Sequence, residues 1–297
     1  ATSATNADFG GLGVDTSEIY FTASEDLGGG MKATAKLGLA GADRSGESSA
    51  AGGVSNAAVT GRNSSLQLQT NAGILTLATT KAGDYLTGSG GLGVYWNGWD
   101  SKVFSPRTSR DTITYSLPVG AFTVHGTYQE GANTGLNIGA GTTGDAAVTG
   151  QSFTAVAVDY AAGKAKANFQ YLMFNASTQA TKNQTRLSGS YDLGAVVLGL
   201  GGVVTNSDLG TGGRATDLIL GVKAPLGALS LGANFVQRKI DDVAFTKQGT
   251  GTISGTAIEA QYSLSKRTTV VANYARWTAV VGNEASNQYV LALAHSF

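Results

Sequence analysis

Histidine and cysteine, the side chains that most often supply nucleophilic catalysis or bind transition metals, are scarce in this chain. The 297 residues include two histidines, His125 and His295, and no cysteine, which excludes a thiolate nucleophile and a cysteine-ligated metal. A serine nucleophile needs a histidine beside it and a third group that orients the ring, and no recognisable motif surrounds His125. We therefore predict that the protein is not an enzyme and has no metal or cofactor. The sequence leaves open whether acidic loops hold Ca²⁺.

The remaining ionisable side chains occur singly, at alternate positions of segments whose other positions are apolar. Lys36 in "KATAKLGL" lies between Ala35 and Leu37, and similar segments recur along the whole chain. A spacing of two is typical of β-strands, and helical spacing is nearly absent, so the chain is predicted to be all-β. The predicted strands lie near residues 18–24, 32–39, 64–69, 74–80, 111–117, 121–129, 153–160, 164–174, 185–191, 195–204, 216–224, 229–237, 256–264, 268–275 and 288–297.

The connections between these segments alternate in length. The short ones are tight turns such as "PVG" and "PLG", where Pro118 and Pro225 need not donate to a strand ladder. The long ones are polar loops near residues 41–61, 82–110, 130–150, 175–184, 206–213, 239–254 and 278–286. Strands of about ten residues, with short turns at one end and long loops at the other, are typical of a transmembrane β-barrel.

Two further patterns favour a barrel in lipid over a soluble β-sandwich or β-helix, whose strands also alternate. Polar residues at mid-strand, opposite the apolar stripe, suit a wet lumen: Lys36, His125, Asn168, Gln170, Arg186, Asn234, Glu259 and Gln261. Tyrosines on the apolar side lie near strand ends, where interfacial girdles form: Tyr115, Tyr128, Tyr160, Tyr171, Tyr191, Tyr262, Tyr274 and Tyr289. The soluble folds remain the alternative at this point.

Overall composition narrows the class of protein. Lys and Arg total 20, as do Asp and Glu, so the weak overall field gives no argument for nucleic-acid binding. No run approaches the roughly 18 apolar residues of a spanning helix, and no signal peptide is evident. A secreted protein in its mature form would begin on a small residue such as Ala1. We expect residues 1–297 to form a single barrel domain.

Several motifs, in order and spacing, resemble those of the general trimeric porins of Gram-negative outer membranes, most closely the proteobacterial type. They are "SEDLGGGMKA" at 24–33, "NAGILTL", "DTITYSLPVGAFTVHGTY", "SYDLGAVV", "GVKAPLGALSLGANF", "YSLSKRTTVVANYAR" and the closing "LAHSF". The resemblance implies an antiparallel barrel of about sixteen strands that closes by pairing its last strand with its first. It also implies that the last strand, through Tyr289, Leu291, Leu293, His295 and Phe297, is the signal read by the outer-membrane insertion machinery.

The chain departs from the family pattern in two places. About fifteen strands are evident, and residues 1–14 lack the apolar alternation expected of a first strand. Where such porins often carry lumen arginines, this chain has Thr79 and Thr114, so an arginine-rich anion filter is not expected.

The resemblance also places loop 82–110 where porins fold a loop into the lumen, and the loop's Trp96 and Trp99 favour burial over exposure to water. Acids on that loop, opposite Lys36, would set a transverse field across the narrowest point. The expected pore-lining and constriction residues are Lys36, Asp84, Asp100, Arg107, Arg110, His125, Thr79, Thr114, Lys32 and Arg186. The alternative is an ordinary exposed loop.

Together these observations predict an outer-membrane channel for passive diffusion of small hydrophilic solutes and ions. The resemblance implies a homotrimer in contact with outer-membrane lipid and lipopolysaccharide. Two alternatives stay open: a channel selective for one substrate, and a structural or surface-recognition barrel whose loops carry the function.

Overall fold

A computed structural model describes residues 17–40, 60–81, 109–129, 152–175, 181–207, 213–241, 251–278 and 286–297. These residues form strands β1 (Glu18–Gly28), β2 (Met31–Ala40), β3 (Thr60–Thr70), β4 (Gly73–Lys81), β5 (Ser109–Val119), β6 (Phe122–Gln129), β7 (Phe153–Ala162), β8 (Ala165–Phe174), β9 (Thr181–Asp192), β10 (Val197–Ser207), β11 (Arg214–Leu226), β12 (Leu229–Ile240), β13 (Gly251–Ser263), β14 (Thr268–Trp277) and β15 (Ser286–His295). In these ranges no helix is long and apolar enough to cross a membrane.

The strands form one sheet in which each pairs with its neighbours along the chain, in the order β1 to β15. Every described pair is antiparallel, as in the hairpin of β1 and β2. Short turns join the strands at one end, and Gly120 and Gly227 adopt φ values of 61° and 68° there, a conformation that side chains with a Cβ rarely take. The predicted all-β antiparallel architecture is confirmed, and each of the fifteen strands lies at a predicted position.

The two edge strands are β1 and β15, and both run from the long-loop end of the sheet to the short-turn end. Within the described ranges no strand pairs with the outer edge of either one. The described residues thus contribute fifteen of the roughly sixteen strands expected for such a barrel.

The register divides the side chains between two faces, which we name the inner face, carrying Lys36, and the outer face, carrying Leu37. Residues paired across neighbouring strands share a face, so each assignment passes from strand to strand. Exposed apolar side chains populate the outer face, among them Phe21, Leu77, Ile113, Leu200, Leu220, Ile258 and Leu291. The predicted girdle tyrosines all lie on this face, from Tyr115 on β5 to Tyr289 on β15.

The inner face is not polar throughout, contrary to the predicted wet lumen. Across β10 to β14 it carries a buried apolar cluster, which we name the inner core: Val203, Ile219, Val236, Ile253, Ala257, Ala275 and Trp277. The register aligns Ile219, Val236 and Gly255 in one row across β11 to β13. Removal of this apolar surface from water stabilises the part of the sheet formed by β10 to β14. The more exposed polar residues of the inner face lie mainly on β1 to β9.

Several strands extend farther toward the long-loop end than alternation indicated. Strands β3, β5, β9 and β13 begin at Thr60, Ser109, Thr181 and Gly251, inside segments predicted as loops. Antiparallel pairing needs only backbone hydrogen bonds, so a strand can continue where its side chains no longer alternate. Arg110, predicted in loop 82–110, is therefore the second residue of β5 and lies opposite Thr80.

Candidate functional site

The candidate site is the polar part of the inner face on β1 to β9, where single residues from neighbouring strands form short hydrogen-bonded groups. Three of these groups contain ionisable side chains at mid-strand. They surround Lys36 on β2, His125 on β6 and Arg186 on β9.

Lys36 is exposed on the inner face, and its Nζ lies 4.1 Å from the centre of the Tyr20 ring. This distance is within the range of a cation–π interaction. The ring lies across Gly38, its partner in the register, where an added Cβ would lie 2.6 Å from Tyr20 Cε1. The glycine therefore allows the tyrosine to lie along the sheet and reach the ammonium group.

Tyr20 is held in turn by an ion pair at the start of β1. Its hydroxyl donates to Glu18 Oε2 over 2.6 Å, and Arg62 Nε donates to Glu18 Oε1 over 2.5 Å. The guanidinium thus balances the Glu18 carboxylate. In the described part of the chain no carboxylate pairs with Lys36, and its ammonium group contacts the Tyr20 ring.

His125 is hydrogen-bonded through both ring nitrogens. Its Nδ1 lies 2.8 Å from Ser116 Oγ on β5, and its Nε2 lies 2.9 Å from Asp159 Oδ2 on β7. The other carboxylate oxygen of Asp159 accepts a hydrogen bond from Asn168 Nδ2 on β8. A carboxylate only accepts hydrogen bonds, so Nε2 donates to Asp159. The direction of the bond between Nδ1 and the Ser116 hydroxyl depends on whether Nδ1 carries a proton.

The other residues predicted to line the lumen are spread over several strands. Thr114 and Thr127 share a hydrogen bond of 3.0 Å on the inner face, and Arg186 donates to Gln184 Oε1 from both Nε and Nη2. Lys32 is opposite Asp26, beside the first short turn. Asp84, Asp100 and Arg107 lie outside the described residues, so the predicted meeting of Lys36 with acids of loop 82–110 stays a prediction.

Thr79 was expected to line the pore, but the register places it on the opposite face from Lys36. It pairs with Ser64 and Asp111, in the same alternation as Leu77, and therefore lies on the outer face. Its hydroxyl donates to the Asp111 carboxylate there. The expectation came from the family resemblance, and strand parity overrides it, because a shift of one residue along a strand moves a side chain to the opposite face.

Sequence reasoning missed the partners of Lys36 and of His125. Ser116 and Asp159 formed no recognisable motif with His125, because the three residues belong to three different strands. Alternation alone would have placed all three on one face, and the tight turn between β5 and β6 would have set Ser116 opposite His125. Asp159 lies one row away, opposite Thr123.

Of the C-terminal residues named as an assembly signal, Tyr289, Leu291, Leu293 and His295 lie on the outer face of β15, and Phe297 follows the strand. Tyr289 pairs with Tyr274, and Leu291 and Leu293 are exposed beside it on the outer face. His295 Nδ1 lies 2.9 Å from Thr268 Oγ1, and the His295 and Phe297 rings meet edge to face with centroids 4.8 Å apart.

Comparison with known proteins places this sheet among porins. The family model described as Gram-negative porin matches residues 1–279. No curated protein sequence matches the chain. Among solved structures, the anion-selective porin from Comamonas acidovorans is similar, with a TM-score of 0.65 and 18% identity over 96% of this chain and 91% of that one.

Two further solved structures show the same fold. A porin refined at 1.8 Å resolution has a TM-score of 0.60 and 16% identity over 94% of this chain and 92% of its own. A multiply substituted variant of the Rh. blastica porin has a TM-score of 0.61 and 13% identity over 94% of this chain and 89% of its own. The apolar outer face, the antiparallel strand order and the family match all indicate a porin. This chain belongs to the Gram-negative porin family, and it is an outer-membrane β-barrel protein that forms a channel for passive diffusion.

Proposed function

We propose that the channel is a general diffusion pore whose ion preference is set in part by Lys36 on the lumen wall. The observation that carries this proposal is the Lys36 ammonium group over the Tyr20 ring on the inner face, opposite the apolar outer face of the same strand. A lumen charge held by a ring occupies a defined position, which a freely moving lysine would not.

Electrostatics favours a measurable effect of this one charge. Glu18 is balanced by Arg62, so Lys36 contributes its full positive charge to the wall near β2. The Debye length is about 8 Å at physiological salt, and an ion passing through a narrow part of the pore comes within about that distance of the wall. The charge therefore favours anions over cations, and more strongly at low salt.

Acids on loop 82–110 would complete this arrangement. Asp84 and Asp100 are the sequence-based candidates for the opposite pole of a transverse field, with Arg107 and Arg110 as further charges of the constriction. Such a field would orient dipolar solutes as they pass.

The test is the zero-current potential of single channels in a salt gradient across a planar bilayer. Lys36→Glu should shift this potential toward cation preference, and the shift should grow as salt is lowered. Lys239→Glu is the matched control, because Lys239 is on the outer face at the long-loop end of β12 and should change the potential much less. Equal shifts in the two variants would place Lys36 outside the lumen.

The same recordings separate the alternatives. The conductance of a general pore rises in proportion to salt concentration, and such a pore also passes many small solutes. In a substrate-selective channel the transport rate saturates with one solute. A structural or surface-recognition barrel would stay closed. Family and fold point to a channel and not to an enzyme.

We further propose a homotrimer in the outer membrane, surrounded by lipid and lipopolysaccharide and inserted through recognition of the last strand. The small residues Ala23 and Ala35 oppose each other on the outer face of β1 and β2, and Ala33 follows two positions along. Small side chains permit the close approach of a neighbouring barrel. The exposed row Tyr289, Leu291, Leu293, ending in Phe297, would be the signal read by the insertion machinery.

A further inference from the structure

We propose that His125, held between Ser116 and Asp159, is a proton-binding site of the pore wall that changes the ion preference of the channel with pH. This inference rests on the proposed placement of the inner face in the lumen, and it assigns a second selectivity residue, independent of Lys36.

The hydrogen bonds allow the ring to change charge without losing a partner. In the neutral ring, Nε2 donates its proton to Asp159 and Nδ1 accepts the Ser116 hydroxyl proton. When a proton binds at Nδ1, that nitrogen becomes the donor, and the Ser116 hydroxyl rotates to accept with its oxygen. Both contacts persist in the charged ring. The Ser116 O–H group then no longer donates to the ring and can donate a hydrogen bond to water or solute.

The site is open to the ions that it would influence. The His125 side chain is 22% exposed and that of Asp159 is 50% exposed, so protons and ions reach both. Asn168 donates to the second carboxylate oxygen of Asp159 and fixes the carboxylate against the wall. The imidazole is therefore held at a defined position, as Lys36 is on β2.

Among the described residues, few charged side chains lie near His125 on the inner face. Its inner-face neighbours on β5 and β6, Thr114, Thr123 and Thr127, are uncharged. Register places Asp159 on β7, Lys166 on β8 and Arg186 on β9 on the same face. Histidine is the residue type whose charge ordinarily changes near neutral pH, and His125 is the histidine of this group.

Acidification therefore adds one positive charge at this point of the wall. At neutral pH the pair of His125 and Asp159 carries the carboxylate charge alone, and at low pH the imidazolium cancels it. The channel should be relatively more permeable to cations at neutral pH and relatively more permeable to anions at acidic pH. The change should weaken at high salt, as screening predicts.

The experiment measures the zero-current potential of the full-length channel in a salt gradient at about pH 8 and about pH 5. The wild-type protein should shift toward anion preference on acidification, and His125→Gln should lose most of that shift. His295→Gln is the matched control, and all variants are refolded in detergent from purified chain because His295 belongs to the proposed insertion signal. His295 is the other histidine of the chain and lies on the outer face of β15, so the refolded variant should keep the wild-type shift.

A second variant tests the same site by another route. Asp159→Asn should bring the neutral-pH potential toward the value that the wild type shows at acidic pH, because the carboxylate charge is gone. Its effect does not depend on the behaviour of His125→Gln. The proposal is overturned if His125→Gln and His295→Gln keep equal pH shifts, or if Asp159→Asn leaves the neutral-pH potential unchanged. Absence of any conductance in the wild type would instead overturn the diffusion pore itself.

Discussion

The indole ring of Trp277 lies directly against Gly255, its partner across β13 and β14. A Cβ built on Gly255 would lie 2.7 Å from Trp277 Cε3 and Cζ3. Trp277 is 2% exposed and belongs to the inner core, so the ring has little freedom to move aside. The glycine allows the largest side chain of that core to pack flat on the sheet.

Substitution of Gly255 should therefore destabilise the protein although an alanine is small. We expect Gly255→Ala to lower the free energy of unfolding by about 1–3 kcal/mol, the usual cost of overpacking a core. Urea unfolding in detergent, followed by tryptophan fluorescence, measures it. Gly126→Ala is the matched control, since no heavy atom lies within 4 Å of a Cβ built there, and it should be neutral or slightly stabilising. Equal stabilities of the two variants would contradict the packing of Trp277.

The buried charge pair of Asp217 and Arg238 on the inner face gives a second prediction. Asp217 Oδ1 lies 3.4 Å from Arg238 Nε, and the side chains are 4% and 12% exposed. Arg238→Met leaves the carboxylate buried without this partner and should cost about 3–5 kcal/mol in unfolding free energy. The double variant Asp217→Asn with Arg238→Met removes both charges and should recover most of that loss. A double variant as unstable as Arg238→Met would show that the charge pair is not the cause.

The proposed trimer contact predicts a position-dependent effect of bulk. Ala35→Trp should reduce the fraction of trimer measured by native mass spectrometry in mild detergent, because the added ring would separate two barrels at β1 and β2. Leu220→Trp adds a similar ring to the exposed outer face of β11 and should leave the trimer intact. Equal trimer fractions would exclude the alanine surface as the contact.

Phe297 should act in assembly and much less in the stability of the folded sheet. The last described backbone bond of the chain runs from Ser296 N to Arg267 O, so removal of Phe297 leaves the strand ladder complete. Deletion of Phe297 should strongly reduce folded protein in the outer membrane of expressing cells, while the purified variant still refolds in detergent. Ser296→Ala serves as the control in both assays. Normal yields in cells would exclude Phe297 as part of the signal.

Alternation made the fold class readable from the sequence. Side chains along a regular strand alternate between the two faces, so Lys36, His125 and the girdle tyrosines could be assigned to faces before any partner was known. The short turns were equally local, because proline and glycine restrict or release particular backbone angles. Such local properties sufficed for fifteen strands and their order of connection.

Properties that depend on partners were not readable in this way. Parity shows that Ser116, His125 and Asp159 share a face, but only the register of three strands brings them within hydrogen-bonding distance. The same holds for Tyr20, which reaches Lys36 because Gly38 is its cross-strand neighbour.

The alternating pattern also could not show which inner positions are wet. Val236 and Asn234 occupy the same face of β12 and both are buried, although one is apolar and the other polar. Burial depends on what lies across the strand and above it, and Gly255 and Trp277 come from later in the chain. The sequence by itself determined the strands, their connections and their faces, which follow from local sterics and period. Only the tertiary structure decided the neighbours of each charge and the extent of the inner core, because both arise from contacts between residues distant in sequence.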